Sequence, residues 1–433
     1  MIDDIKPPKN TNRQTIGRVG LHGHSLDDTR DRLVGGDGQP QASPPPTHEP
    51  SSNVVSEKNS AEPQPPVKKQ RFAWWTRLKS WWGRLNKNKR FAIIAASLLI
   101  FGAGAIAYFN YIRPSSEPSL QIHKTAKPKV VKPTTLASPL TGLQVTPEAA
   151  ARPVTGIMIE NSQDARPQSG IDQAGVVYEA IAEGGITRFL TLYQDAQPQY
   201  VGPVRSLRPY YLDWLAPYDA SIAHVGGSPE ALAQVRSGMK DLDQFFNAGS
   251  YRRVSSRAAP HNVYTSFEKM DALNKAKGYV SSKFTPFTRK ADAKIAVPTA
   301  KTINLAISGP TYNVHYDYDA ATNSYLRSEG GAVHRATSSE ADKTGQQLHP
   351  NVVVALIIPY SLVDGTGHSG YASTGSGQMF VFQDGGVTPG TWTKAGRTSQ
   401  FSFADNGGAP IKLDAGQTWF TALGNAGMIT YTP

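Results

Sequence analysis

Hydrophobic and polar positions change pattern three times along this chain. From Phe91 to Ile112 (FAIIAASLLIFGAGAIAYFNYI) apolar residues run almost unbroken, with no charge and only Ser97 and Asn110 clearly polar. About 20 such residues, rising 1.5 Å each, cross a hydrocarbon core of roughly 30 Å, so residues 91–112 predict one transmembrane helix. Ahead of it, residues 68–90 (KKQRFAWWTRLKSWWGRLNKNKR) turn at helical period. Phe72, Trp75, Leu78, Trp82 and Leu85 fall on one side of a helix; Thr76, Arg77, Ser80 and Arg84 fall opposite. Nine of these residues are basic and none is acidic, the pattern of an amphipathic segment lying among anionic lipid headgroups. Residues 1–67 have no apolar period and are rich in Pro, Asp, Asn, Gln and Ser, which predicts a disordered arm. Residues 113–137, where Pro and Lys recur, predict an extended stalk of roughly 60–80 Å when drawn out.

Beyond the stalk the pattern becomes that of a folded α+β body. In residues 138–297, Val154–Glu160 reads as a buried strand, and Val176–Glu183 and Ile186–Tyr193 flank Gly184-Gly185 as a hairpin. Regular pairing places Glu183 opposite Ile186, Ile181 opposite Arg188 and Glu179 opposite Leu190. Glu179, Glu183 and Arg188 then share one face. Ser228-Pro229-Glu230 opens a helix with an N-cap and a proline at its first position. Thr265 to Glu268 has the spacing of a capping box for a helix ending near Gly278. Residues 298–433 are nearly all short strands separated by Gly, Asp and Asn turns, a second, β-rich domain. Without a βαβ rhythm the sheets are expected to be layered and mixed rather than doubly wound.

Charge sharpens this division. Residues 1–137 hold 21 Lys and Arg against 10 Asp and Glu, whereas residues 138–433 hold 24 of each, so the net charge of +11 belongs to the N-terminal third. The folded body offers no basic surface in bulk for nucleic acid, and none is expected as a partner. The denser positive flank precedes the span, which places the N-terminus in the cytoplasm and the body outside. Ala105-Ile106-Ala107 resembles a cleavage site, but a leader of some ninety residues is abnormally long, so an uncleaved signal anchor is the preferred reading. The chain has no cysteine, which excludes disulfides, thiolate chemistry and lipid attachment through a thiol.

Several blocks resemble the YerB-like family, a family defined by domains of unknown function: ARPVTGIMIENSQDARPQSGI, VVYEAIAEGGITRFLTLYQ, VGPVRSLRPYYLDW, YRRVSSRAAPHNVYTS and, in the second lobe, GSGQMFVFQDGGVTPGTWTK. The resemblance covers about residues 138–433. It implies an α+β sandwich of layered sheets followed by a β-rich C-terminal domain, in the cell envelope, and brings no activity with it. This chain departs from lipoprotein members in lacking an anchor cysteine and in carrying a cytoplasmic arm.

The first lobe gathers polar groups beside glycines and at strand ends, where ligands reach the backbone. The candidate ligand-binding residues are Glu160, Asn161, Arg188, Arg205, Arg208, Arg253, Arg257, His261 and Asn262. Guanidinium groups grip carboxylates, phosphates and sulfates bidentately. Glu179, Glu183 and His261 are the candidates for acid or base chemistry. The competing reading is that these groups neutralise one another as internal ion pairs. His224, on an apolar strand, reads as a satisfied core histidine, and Ser228 as an N-cap rather than a nucleophile. No ligand spacing supports a metal, and no cofactor is expected. The preferred function is a membrane-anchored extracytoplasmic protein that binds or scaffolds an anionic or glycan component of the envelope, a cell-wall polymer or an envelope protein, through an Arg/Glu/His-lined cleft. The alternatives are an envelope-polymer hydrolase using Glu179 or Glu183, and a sensor whose output is the cytoplasmic arm.

Overall fold

The structure is a computed structural model that describes residues 74–112, 133–363, 365 and 367–433. The expected arm over 1–67, the start of the basic segment (68–73) and most of the stalk (113–132) lie outside the described residues. The apolar helix and the folded body are separate units.

Helix α1 (Trp74–Gly83) and helix α2 (Lys87–Ala107) follow the expected order, with a turn between them. The side chain of Asn86 accepts from the Lys89 amide at 3.0 Å and starts α2 afresh, so the basic segment is not one continuous amphipathic helix. After Ala107 the chain makes one π turn, Tyr108–Ile112. Lys87–Tyr111, whose most apolar 18-residue window has a mean hydropathy of 2.2, is long and apolar enough to cross a membrane.

Ten strands form the central mixed sheet of the body. In chain order they are β1 (Thr155–Glu160), β2 (Val176–Glu183), β3 (Ile186–Tyr193), β4 (Ser221–Ala223) and β5 (Lys240–Asp241), then β6 (Val352–Ile357), β7 (Gly375–Gln383), β8 (Gly386–Lys394), β9 (Ser402–Asp405) and β10 (Thr418–Leu423). Across the sheet the order is β9-β8-β7-β6-β10-β2-β3-β1-β4-β5. Strands from both sides of position 297 therefore share one sheet, joined where β10 runs parallel to β2 with Trp419 beside Val177. The boundary expected at 297/298 divides the sequence but not the sheet.

Both faces of this sheet are covered, which is why β1 and β10 are buried at every position. On one face Met158, Tyr178, Leu190 and Phe420 pack against helix α3 (Pro209–Leu215), whose Tyr210, Tyr211 and Trp214 are almost wholly enclosed. Helix α4 (Pro229–Arg236) begins as expected, with the Ser228 side chain accepting from the Ala231 amide. On the other face Ile159, Phe189 and Trp419 form a core with helix α5 (Phe267–Ala276). The N-cap of α5 is Ser266, one residue later than the spacing suggested, because the Thr265 hydroxyl instead donates to the Ser250 carbonyl at 2.8 Å. A second sheet of five strands, including Val314–Asp319 and Ser324–Glu329, covers Val353, Ala355 and Phe382 on that face.

Close packing at the far side of the sheet leaves no room at Gly390. A Cβ there would lie 2.0 Å from the Ala404 carbonyl oxygen on β9. Gly390→Ala is expected to push β8 and β9 apart and to cost about 1–3 kcal/mol, read as a lower urea midpoint at unchanged slope.

Candidate functional site

The hairpin β2–β3 has the expected ends, and Gly184 and Gly185 take φ of 56° and 79°, as a two-residue turn requires. Its register differs. Glu183 faces Ile186, but Ala180 then faces Arg188 and Glu179 faces Phe189, because a β-bulge inserts one residue between Ile181 and Glu183. Past the bulge every side chain changes face. Arg188 and Glu183 remain on the α3 side, and Glu179 turns to the opposite side. The candidate residues consequently divide into three groups rather than lining one cleft.

The first group is sealed. Arg327 Nη2 donates to both oxygens of Glu179, at 3.0 and 3.1 Å, and neither side chain is exposed. Trp419 Nε1 and the Thr187 hydroxyl each donate to the same carboxylate at 3.2 Å. Every direction around Glu179 is occupied, so no substrate reaches it. Arg327 Nε donates to His334 Nδ1 at 2.8 Å, and His334 Nε2 donates to Gln168 Oε1 at 2.8 Å. That pattern needs the neutral imidazole, and burial, reinforced by Arg327 and Arg166, holds the His334 pKa well below its ordinary value. Glu329 completes the network: Asn161 Nδ2 and Arg166 Nη2 donate to its Oε1 at 2.6 and 2.9 Å. Its Oε2 lies 3.1 Å from His334 Nδ1, which already accepts a hydrogen bond from Arg327. Burial, with Glu179 nearby, pushes the Glu329 carboxyl up to about 7 against the pull of Arg327 and Arg166.

The second group is an ion triplet. Arg188 Nη2 donates to Glu183 Oε1 at 2.9 Å, and Arg208 pairs with the other oxygen. Arg188 also donates to the Ser206 carbonyl at 2.9 Å and Arg208 to that of Leu207 at 2.8 Å. Burial lowers both guanidinium pKa values. Glu183 is thus compensated on both oxygens, the internal pairing that competes with an acid–base role.

The third group opens onto a cleft of about 580 Å³. Glu160, at the end of β1, is almost fully buried and accepts from Ser162 Oγ at 2.9 Å; His261 Nδ1 lies 3.0 Å and Arg205 Nε 3.1 Å from the same oxygen. The carboxylate fixes the imidazole by one nitrogen. Nε2 is left 3.9 Å from the exposed Asp164 carboxylate, and His261 forms part of the cleft wall. Ser162 Oγ lies 3.2 Å from the same Nδ1 that meets Glu160, so these three residues do not form a serine–histidine–acid relay. The wall also contains Arg166, Arg257, Tyr264, Glu340 and Lys343.

Two of the nine candidate binding residues, Arg257 and His261, line this cleft. Arg257 donates to the carbonyls of Asp164 and Pro167, the latter at 2.8 Å. Arg253 donates to Asn262 Oδ1 at 2.7 Å outside the cleft wall, and Asn161 belongs to the sealed network. His224 is a core histidine as expected, its ring nitrogens 2.7 Å from the Gly226 carbonyl and 3.0 Å from Asp241. Arg166, Arg327, Glu329 and His334 are absent from the candidate set. The signal for Arg327 is a cation at an alternate, core-facing position of SYLRSEG, which has meaning only once its buried partner is known. No group of three or more potential metal ligands occurs among the described residues.

Comparisons with known proteins agree with this architecture. Residues 140–280 match the N-terminal domain, and residues 303–420 the C-terminal domain, of the family described as "Protein of unknown function (DUF3048)". The Bacillus subtilis (strain 168) protein named "Putative lipoprotein YerB" is 33% identical over 279 residues, which span 62% of this chain and 81% of that protein. The crystal structure of the YerB protein from Bacillus subtilis superposes with a TM-score of 0.62 at 27% identity, covering 69% of this chain and 100% of that one.

Proposed function

Because this chain belongs to the DUF3048 family, whose description assigns no activity, we propose from its own geometry that it is a membrane-tethered protein whose body binds a hydroxyl-rich, glycan-like component of the cell envelope in the cleft beside His261. The observation that carries the proposal is the buried Glu160 holding His261 by Nδ1 at the wall of an open, polar cleft. An imidazole oriented in this way presents one directed polar atom to a ligand instead of a mobile charge. The arginines of the wall favour a glycan over a dense polyanion. Arg257 is spent on two carbonyls, and Arg166 donates to Asn161, to the Thr311 carbonyl and to Glu329. Asp164 and Glu340 stand among them, so the wall has mixed sign. Sugar hydroxyls donate and accept and can meet both kinds of group; a phosphate polymer would meet repulsion at the carboxylates.

Tethering rests on α2, which has the length and hydropathy of a span in a chain without cysteine. Its basic flank orients the N-terminus to the cytoplasm and the body outward. A hydrolase built on Glu179 has no support in this geometry, since that carboxylate is sealed by Arg327 and Trp419.

The test is calorimetry of the full chain in detergent micelles against oligomers of N-acetylated amino sugars, with polyphosphate as the competing polymer. The glycan is expected to bind, and His261→Ala to weaken it at least tenfold while the melting temperature holds. Glu160→Gln is expected to weaken it less, because the amide oxygen still accepts from Nδ1. Binding of polyphosphate in preference to the glycan, or unchanged affinity in His261→Ala, would overturn the proposal.

A further inference from the structure

The loop that follows the edge strand β5 carries two adjacent aromatic residues into solvent. Phe245 is 61% and Phe246 71% exposed, unusual for neighbouring phenylalanines in a body that buries most of its large apolar side chains. The loop is held from beneath. Asp243, fully buried, accepts from the amides of Gly226 and Phe245 at 3.2 Å each and from Arg236 at 3.2 Å. Asn247 closes the turn by donating to the Asp243 carbonyl at 2.7 Å. The two rings are therefore presented by a fixed turn. Two cations lie on one side of them, beside Phe246. Arg236 lies 5.1 Å above the Phe246 ring, and Phe246, Arg236, Met239, Lys277 and Tyr279 line one shallow hollow. Of the nearby carboxylates, Asp241 pairs with His224 and the fully buried Asp243 with Arg236, whose side chain stays 45% exposed on the outer side.

We propose that this loop is a membrane-interface contact: Phe245 and Phe246 enter the headgroup boundary of an anionic bilayer while Arg236 and Lys277 meet lipid phosphates. Exposed aromatics beside cations are the composition that a lipid interface selects. Two phenylalanines are too little to hold a free protein on a bilayer. They are sufficient for a body covalently continuous with an apolar helix, because the tether turns the contact into an intramolecular event at high effective concentration. This inference rests on the reading that α2 spans the membrane. It does not depend on any ligand at the His261 cleft.

The absence of cysteine gives a clean experiment with the whole chain. Gln244→Cys, at a half-buried position next to Phe245, is labelled with an environment-sensitive fluorophore and reconstituted into phosphatidylglycerol–phosphatidylethanolamine vesicles. Val297→Cys, 75% exposed elsewhere on the body, is the control. The expected result is a blue shift and quenching by spin-labelled lipid at position 244 only, at least halved by Phe245→Ser plus Phe246→Ser and weakened in vesicles without anionic lipid. A water-like spectrum at 244 in protein that floats with the vesicles would overturn the contact and leave the span intact. Failure to float would overturn the span on which the contact rests. A blue shift that persists in detergent and grows with protein concentration would assign the loop to a second copy of the chain, and overturn the lipid contact.

Discussion

Arg327→Ala is expected to destabilise the body by about 3–5 kcal/mol, the cost of leaving a buried charge without its partner. Arg327 and Glu179 have no exposed side-chain surface, and the guanidinium also binds Tyr316 and His334 while lying 4.5 Å over the Trp419 ring. Removing it strands Glu179, withdraws the donor to His334 Nδ1 and empties the space above Trp419. Against a typical domain stability of about 5–15 kcal/mol, this is a large share of the total. Lysine is not expected to rescue, since one ammonium cannot supply donors to Glu179, Tyr316 and His334 together. Glu179→Gln combined with Arg327→Met should recover a large part of the loss, because both charges leave and the volume is kept. Urea unfolding of the four proteins, followed by near-ultraviolet circular dichroism, measures this. A double variant no better than Arg327→Ala would show that the charge pair is not the cause.

Glu329→Gln carries the second large effect, and its sign depends on pH. Folding raises the Glu329 pKa from 4.5 to about 7, so the folded state keeps a proton that the unfolded chain releases. Stability from this group is fully present below pH 4.5 and is lost as pH rises through 7, a change of about 3 kcal/mol. His334 acts in the opposite sense. Its folded pKa is depressed, so its contribution is present above 6.5 and lost as pH falls. The two slopes oppose each other in the native protein below pH 6.5, where both groups change protonation between the folded and unfolded states. The introduced glutamine is uncharged like the protonated carboxyl, and its oxygen still accepts from Asn161 and Arg166. The variant should therefore match the native protein near pH 4.5 and exceed it by about 3 kcal/mol at pH 8. Urea midpoints of both proteins at pH 5 and pH 8 give the difference directly. A stability gap between them that stays constant with pH would place no proton on Glu329.

The hairpin shows where local pattern stops being informative. Its two strands and the Gly-Gly turn are written in residues 176–193, since alternation and positive φ are local requirements. The bulge is not. The Ile181 amide donates to the Tyr371 hydroxyl at 3.0 Å, and Glu183 bridges to His368, so a segment some 190 residues away captures the strand end and adds the extra residue. That one residue separates Glu179 from Glu183 and Arg188 and decides which carboxylate is sealed. Likewise, the two sequence lobes differ in composition, yet β10 and β2 pair through contacts between residues about 240 apart. The Glu160–His261 pair also joins distant loops, of which the sequence shows the members and not the meeting.

By itself the sequence determined the long apolar helix, the confinement of excess charge to the N-terminal third, the α+β character of the body, the hairpin limits and the Ser228 cap. Each follows from residues within one turn or one strand of one another. Only the tertiary structure decided that both lobes build a single sheet, that Glu179 is locked beneath Arg327 and that His261 stands at an open cleft. Those outcomes depend on which buried charge finds which partner, and burial and pairing are properties of the packed chain that no local run of residues contains.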